Sequence, residues 1–292
     1  VKTWSNGHLL KAPSISRDGN RIAVYDTRNG AVDIWTVDTR SGVTTRITSS
    51  GDSYAPTWAR DDRVAFIGAG SAAGNAAGIF WASPDGDGAA ERVPGSESRQ
   101  PYNFSVSPDG RFLVVTEQPR TTKPTAPYVV AYAISLGTGG PRIPLVETTG
   151  NVAGTRVSPD GEWLTYQSDE SGQDEVYVRP FLTGNGRVQL SNSGGHEPRW
   201  SRDGHRVFYR ANGAFRAVTL DVGSGQARVA RSDLLFPDRW ERAPCAVHPD
   251  GKHFVMSSIV GEGPRIVIST NWWAEALAFS PPLSTPVRAG RQ

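Results

Sequence analysis

One cysteine, Cys245, is all the chain contains, which excludes an intrachain disulfide and a thiolate zinc cluster. Its place between Pro244 and Ala246, in what reads as a strand, predicts a buried structural thiol. No apolar run approaches the roughly 18 residues that a membrane helix needs. An excess of one charge is missing too: 31 Lys and Arg stand against 29 Asp and Glu with no basic stripe, so nucleic acid is not an expected partner. The Gly-x-Ser-x-Gly elbow of an α/β-hydrolase is absent. So are the Gly-rich loop, His-Arg-Asp and Asp-Phe-Gly of a protein kinase. The start, Val1-Lys2-Thr3-Trp4, is no signal peptide and lacks an initiator Met, so the sequence reads as a piece of something longer.

What the chain does have is a repeat. Ser-x-Asp-Gly recurs at Ser16–Gly19, Ser107–Gly110, Ser158–Gly161 and Ser201–Gly204, with weaker copies at Ala59–Asp62 and His248–Gly251. From Asp to Asp the steps are 43, 48, 51, 43 and 47 residues. In such a turn the Asp side chain takes local backbone hydrogen bonds and Gly accepts the positive φ of the reversal. Around each anchor lie short strands separated by polar turns, most clearly between Ala153 and Leu190. Six copies at this period predict an all-β fold, a six-bladed β-propeller of four-stranded antiparallel blades. The propeller is expected over residues 1–279, with a disordered Pro- and Gly-rich tail at 280–292. Residues ahead of Ala12 are expected to supply the outermost strand of the last blade, which would remove an exposed edge. Leu234–Arg242 reads as a long aromatic connection between blades five and six, and Asn271–Leu277 as a helical turn or cap.

The Pro-x-x-Ser-x-Asp-Gly pattern resembles the TolB-type, WD40-like β-propeller repeat over the whole chain. Between about 155 and 277 the likeness narrows. Ser158–Tyr166, Glu175–Phe181, Gly194–Gly204, Phe254–Met256 and Asn271–Leu277 look most like the C-terminal propellers of bacterial receptor-type serine/threonine kinases. That resemblance implies a sensor module outside the cytoplasm, periplasmic or at the cell surface, tethered in the full-length protein. It supplies no catalytic residues.

In a propeller the loops leading to the inner strands converge on one mouth of the central channel. Those segments carry Asp52-Ser53-Tyr54, Arg99 through Asn103 (with Tyr102), Asn151, Arg156, His196-Glu197, Arg199 and Arg239 through Arg242 (with Trp240). From them Tyr54, Tyr102, Asn103, Arg156, His196, Glu197, Arg199, Trp240 and Arg242 are expected to line a bowl. Arg and aromatic side chains there suit an anionic ligand, a peptide or a protein. No catalytic residue and no cofactor are expected. Calcium, in the channel or in Asp-rich loops such as Asp169–Asp174, is weighed and disfavoured, because that segment lacks dedicated ligand spacing. His248 and His253 flank a turn at a spacing that is no zinc motif and read as surface histidines. The expectation is thus a non-catalytic, sensor-like binding domain. The alternatives are a polysaccharide lyase or hydrolase acting at the channel mouth, or the accessory propeller of a peptidase.

Overall fold

A computed structural model describes residues 2–4, 10–69, 77–97, 101–118, 129–137, 140–146, 148–183, 186–222, 225–238, 244–260 and 263–269, the backbone alone at 2–4 and from 257 onward. The predicted tail at 280–292 and the helical turn at 271–277 lie outside these residues. The strands form six four-stranded antiparallel sheets that resemble propeller blades. The first holds β2 (Leu10–Ile15), β3 (Arg21–Arg28), β4 (Ala31–Asp38) and β5 (Thr44–Arg46). The second holds β6 (Ser53–Trp58), β7 (Val64–Gly68), β8 (Gly78–Ala82) and β9 (Glu91–Arg92). In the third are β10 (Pro101–Val106), β11 (Phe112–Glu117), β12 (Val130–Ser135) and β13 (Ile143–Pro144). The fourth contains β14 (Val152–Val157), β15 (Trp163–Ser168), β16 (Glu175–Pro180) and β17 (Val188–Gln189). β18 (His196–Trp200), β19 (Arg206–Ala211), β20 (Ala214–Asp221) and β21 (Arg228–Pro237) make the fifth. The sixth joins β22 (Cys245–Val247), β23 (Phe254–Val260) and β24 (Gly263–Ser269) to β1 (Lys2–Trp4). As expected, the outer strand of the last sheet comes from the start of the chain, with Lys2 opposite Ile268 and Trp4 opposite Ile266.

One reading needs correction. Leu234–Pro237 is not a connection but the end of β21. The eight-residue β20 leaves a full edge to be paired, and β21 covers it through two register shifts. Phe236 is thereby stacked on Phe215, ring centroids 4.8 Å apart.

The anchor turns join the first strand of a sheet to the second. Ser16 Oγ donates to Asp18 Oδ1 at 2.6 Å and accepts the Arg21 backbone N–H at 2.9 Å. Asp18 in turn accepts the Asn20 N–H. The same double use of the hydroxyl recurs at Ser107, Ser158 and Ser201. All four serines are buried, so each hydroxyl is satisfied inside the protein rather than by water. In the second sheet, where Gly is missing, Asp62 takes the left-handed conformation at φ +62°.

Buried apolar side chains on both faces of the strands meet between neighbouring sheets. Ala65, Ile67 and Trp81 of the second sheet pack with Phe104, Leu113 and Ile134 of the third. Leu10, Ile22 and Val24 of the first pack with Ala246 and Val255 of the sixth. Cys245 is buried in β22 as expected, and burial pushes its thiol pKa up. Among the described residues no helix is long and apolar enough to cross a membrane.

Two measurements check the anchors. Ser158→Ala leaves the buried Trp163 N–H without its acceptor and should cost about 1–3 kcal/mol in denaturant unfolding. Asp18 is held down at about pKa 2, first by the Ser16 hydroxyl and then by the Asn20 N–H. Its contribution is therefore complete above about pH 4 and is lost as pH falls toward 2. The stability difference between the parent and Asp18→Asn should shrink over that window when unfolding is measured at successive pH values.

Candidate functional site

The first strand of each of the first five sheets contains an irregularity just before the anchor. Register shifts fall between Lys11 and Ser14, Tyr54 and Thr57, Pro101 and Asn103, Ala153 and Arg156, and His196 and Arg199. At four of them one residue takes positive φ: Ala12 +46°, Ala55 +52°, Gly154 +60° and Glu197 +54°. A bulge re-aims the residues that follow it. Here it brings the residue two positions before the anchor, Ser14, Thr57, Arg156 or Arg199, onto a shared cavity. Indole N–H groups fix this arrangement across the sheets. Trp58 Nε1 donates to the Ser14 carbonyl at 2.9 Å and Trp200 Nε1 to the Arg156 carbonyl at 3.1 Å.

The cavity, about 830 Å³, is lined from the first strands of all six sheets. Its two sides differ. The first, second and sixth sheets present small side chains, among them Ala12, Ser14, Ala55, Thr57, Pro244 and Ala246. The third, fourth and fifth present Tyr102, Asn103, Arg156, His196, Glu197 and Arg199.

Both arginines are anchored by neutral oxygens. Arg156 Nη1 donates to Asn103 Oδ1 at 3.1 Å and to the Thr155 carbonyl at 2.7 Å. Arg199 donates from Nε to the Cys245 carbonyl at 3.1 Å and from Nη1 to the Pro198 carbonyl at 3.0 Å. Among the described residues neither forms an ion pair. Burial, and after it the positive charge of Arg199, lowers the pKa of Arg156 to about 9 against the opposing pull of Glu197, so it stays charged at neutral pH. Glu197 is directed elsewhere. Its backbone N–H donates to Gln167 Oε1 at 3.0 Å, and its carboxylate lies 3.5 Å from Arg210. Arg210 is fully buried behind the cavity wall, 3.4 Å from Asp238 and over the ring of Phe215. At the rim, partial desolvation and then Asp169 push the Asp174 carboxyl pKa up.

Six of the nine expected residues thus share one cavity: Tyr102, Asn103, Arg156, His196, Glu197 and Arg199. Tyr54 does not line it. The bulge turns Thr57 inward instead, and Tyr54 packs half-buried on the core between the second and third sheets, its hydroxyl toward the Pro101 carbonyl. Trp240 and Arg242 lie outside the described residues. Asn151 is spent on a seam, donating to Asp169 and accepting the Val129 N–H, which also occupies the Asp169 carboxylate once weighed for calcium. Ser14, Thr57, Gln167 and Asp174 went unread. Aligning the six copies on the anchor would have found the first two, whereas the last two come from β15 and the hairpin after it.

No protein-family model matches the chain, and no curated protein does. Solved structures do. TolB from Acinetobacter baumannii is 20% identical with a TM-score of 0.65, over 87% of this chain and 62% of that one, so the present chain spans less than two thirds of that TolB. A TolB-designated protein from Agrobacterium tumefaciens is 16% identical with a TM-score of 0.62, over 91% of this chain and 92% of that one. An oligogalacturonate lyase in complex with manganese is 12% identical with a TM-score of 0.59, over 91% and 92%. At these identities the likeness shows the fold, a TolB-like β-propeller fold, and it spans catalytic and non-catalytic proteins alike.

The bulge geometry is testable. A Cβ at Gly154 would stand 3.1 Å from Pro198 and 3.2 Å from Gln167 Oε1 in a left-handed backbone. Gly154→Ala should therefore cost about 1–2 kcal/mol, read by denaturant unfolding. Ala55→Gly, which relieves the same strain, should be neutral or stabilising.

Proposed function

We propose that the six sheets close as a six-bladed propeller and that the domain is a non-catalytic, sensor-like binding module. Its central cavity takes the carboxylate of a peptide or small acid. The observation that carries this reading is the pair Arg156 and Arg199. They enter the cavity from neighbouring sheets, held by neutral oxygens and balanced by no ion pair among the described residues. A guanidinium set in a partly desolvated site, with its tethers already made, favours an incoming carboxylate over water. The small side chains of the opposite wall leave room for the rest of the ligand.

A catalytic reading asks for more. It needs His196 within hydrogen-bonding reach of an arginine, and among the described residues His196 makes no side-chain hydrogen bond to Arg156 or Arg199. A metal in the cavity needs several converging ligands. Among the described residues the one His, Asp and Glu grouping within metal-binding distance lies away from the cavity. The resemblance to receptor-kinase propellers supports a location outside the cytoplasm and a tether in a longer protein, with the cavity as the sensing surface.

The test is thermal unfolding and calorimetry against a panel of peptides with free C-termini, sugar acids and neutral sugars. A carboxylate ligand should raise the midpoint of the parent. Its affinity should fall at least about tenfold in Arg156→Gln and in Arg199→Gln, and should weaken with salt. Binding confined to neutral sugars, binding indifferent to both substitutions, or turnover of oligogalacturonate by the parent would overturn the proposal.

A further inference from the structure

The sixth anchor departs from the other turns in one telling way. Where Ser16, Ser107, Ser158 and Ser201 place a hydroxyl, this turn has His248. Where Arg21, Phe112, Trp163 and Arg206 stand five residues later, it has His253. The turn itself is conserved in form: Gly251 N–H donates to the His248 carbonyl at 2.9 Å and His248 N–H to the His253 carbonyl at 2.9 Å. Its polar interior is rebuilt. With no hydroxyl present, the His253 N–H goes to Asp250 Oδ1 at 3.2 Å, as does the Lys252 N–H at 2.8 Å. The two imidazoles close on the carboxylate from either side. His248 Nδ1 lies 3.1 Å from Asp250 Oδ1, and His253 Nδ1 contacts Asp250 Oδ2. The rings meet edge to face, centroids 5.5 Å apart.

We propose that His248, Asp250 and His253 form a binding site for a divalent transition-metal ion of the zinc class. Two imidazole nitrogens and one carboxylate oxygen are a borderline donor set that suits zinc, cobalt or nickel, with water completing the shell. The three ligand atoms already lie within 4.8 Å of one another. Tetrahedral ligation at metal–ligand distances of about 2.1 Å separates donors by about 3.4 Å. His248 Nδ1 and Asp250 Oδ1, 3.1 Å apart, are close to that spacing, and Asp250 must open slightly from His253 to admit the ion. His248 Nδ1 accepts the Asp250 N–H at 3.2 Å, so ligation through that nitrogen replaces this hydrogen bond with the ion. Each side chain is about one quarter to one third exposed, so an ion can reach the site from solvent.

The ring of His248 also has a fixed backing. A Cβ built on Gly19, in the anchor turn of the first sheet, would stand 2.8 Å from His248 Nε2. The site therefore sits where the sixth sheet meets the first, and a bound ion fastens the turn that faces this seam. The turn does not need histidine to fold, since four other copies fold with serine. Two departures from the repeat that meet on one carboxylate mark a function added to the anchor.

The experiment uses tag-free full chain with Co2+ as a spectroscopic probe and Zn2+ as competitor. One equivalent of Co2+ should give visible ligand-field absorption, displaced by Zn2+, and Zn2+ should raise the unfolding midpoint. His248→Ser restores the residue of the other turns and His253→Arg restores that of the first and fifth, so both variants should fold. Each should lose at least tenfold in metal affinity and lose the midpoint shift. Arg156→Gln, in the cavity, should retain both. Equal binding by parent and both histidine variants, or no binding by the parent at micromolar Zn2+, would overturn the proposal.

Discussion

A buried hydroxyl shared between a carboxylate and a backbone amide sits in the turn between the first and second strands of four of the six sheets, and much else is positioned from it. Because Ser158 and Ser201 are held on both sides, the strands leading into them have fixed ends. The bulge that precedes each anchor then has a fixed place, and so does the side chain that follows the bulge. Arg156 and Arg199 occupy equivalent positions, two before their serines, and reach the same cavity for the same local reason. Small residues at this position in the first, second and sixth sheets give the cavity its unequal sides.

The electrostatics follow from that placement. Burial, and after it the positive charge of Arg199 nearby, pulls the pKa of Arg156 down. A carboxylate between them would cancel the field, and Glu197 is on the wall to supply one. Arg210 draws it aside instead. The buried Arg210 thus acts at a distance from the cavity surface, by holding the nearest negative charge against the wall.

The sheets were legible because their turn chemistry is local. An Asp, a Gly and a preceding Ser within four residues determine a reversal wherever they occur. The bowl was legible in part because Arg156 and Arg199 stand in the segments that lead into the inner strands, and those segments line the shared cavity. Tyr54 was misplaced because a bulge inverts which face a residue takes, and no residue type announces a bulge when Ala12 and Ala55 adopt the left-handed backbone that glycine favours. The extent of β21 was missed because its final residues pair by virtue of the long β20, a partner whose edge is not visible in Leu234–Pro237 itself. His248 and His253 looked unrelated at their spacing. Only the turn shows that Asp250 stands between them.

The pairing of β1 with β24 sets an order of events as well as a shape. As the chain is made from its N-terminus, Lys2–Trp4 waits without its partner until Ile266–Ile268 has been added. The sheets between them are assembled from neighbouring segments and can form in sequence, whereas this contact carries the greatest sequence separation among the described strand pairings. Such contacts weigh most on the folding rate. The three-residue strand cannot dock before β24 has been made, and until it does the edge of β24 stays open to any other strand that meets it.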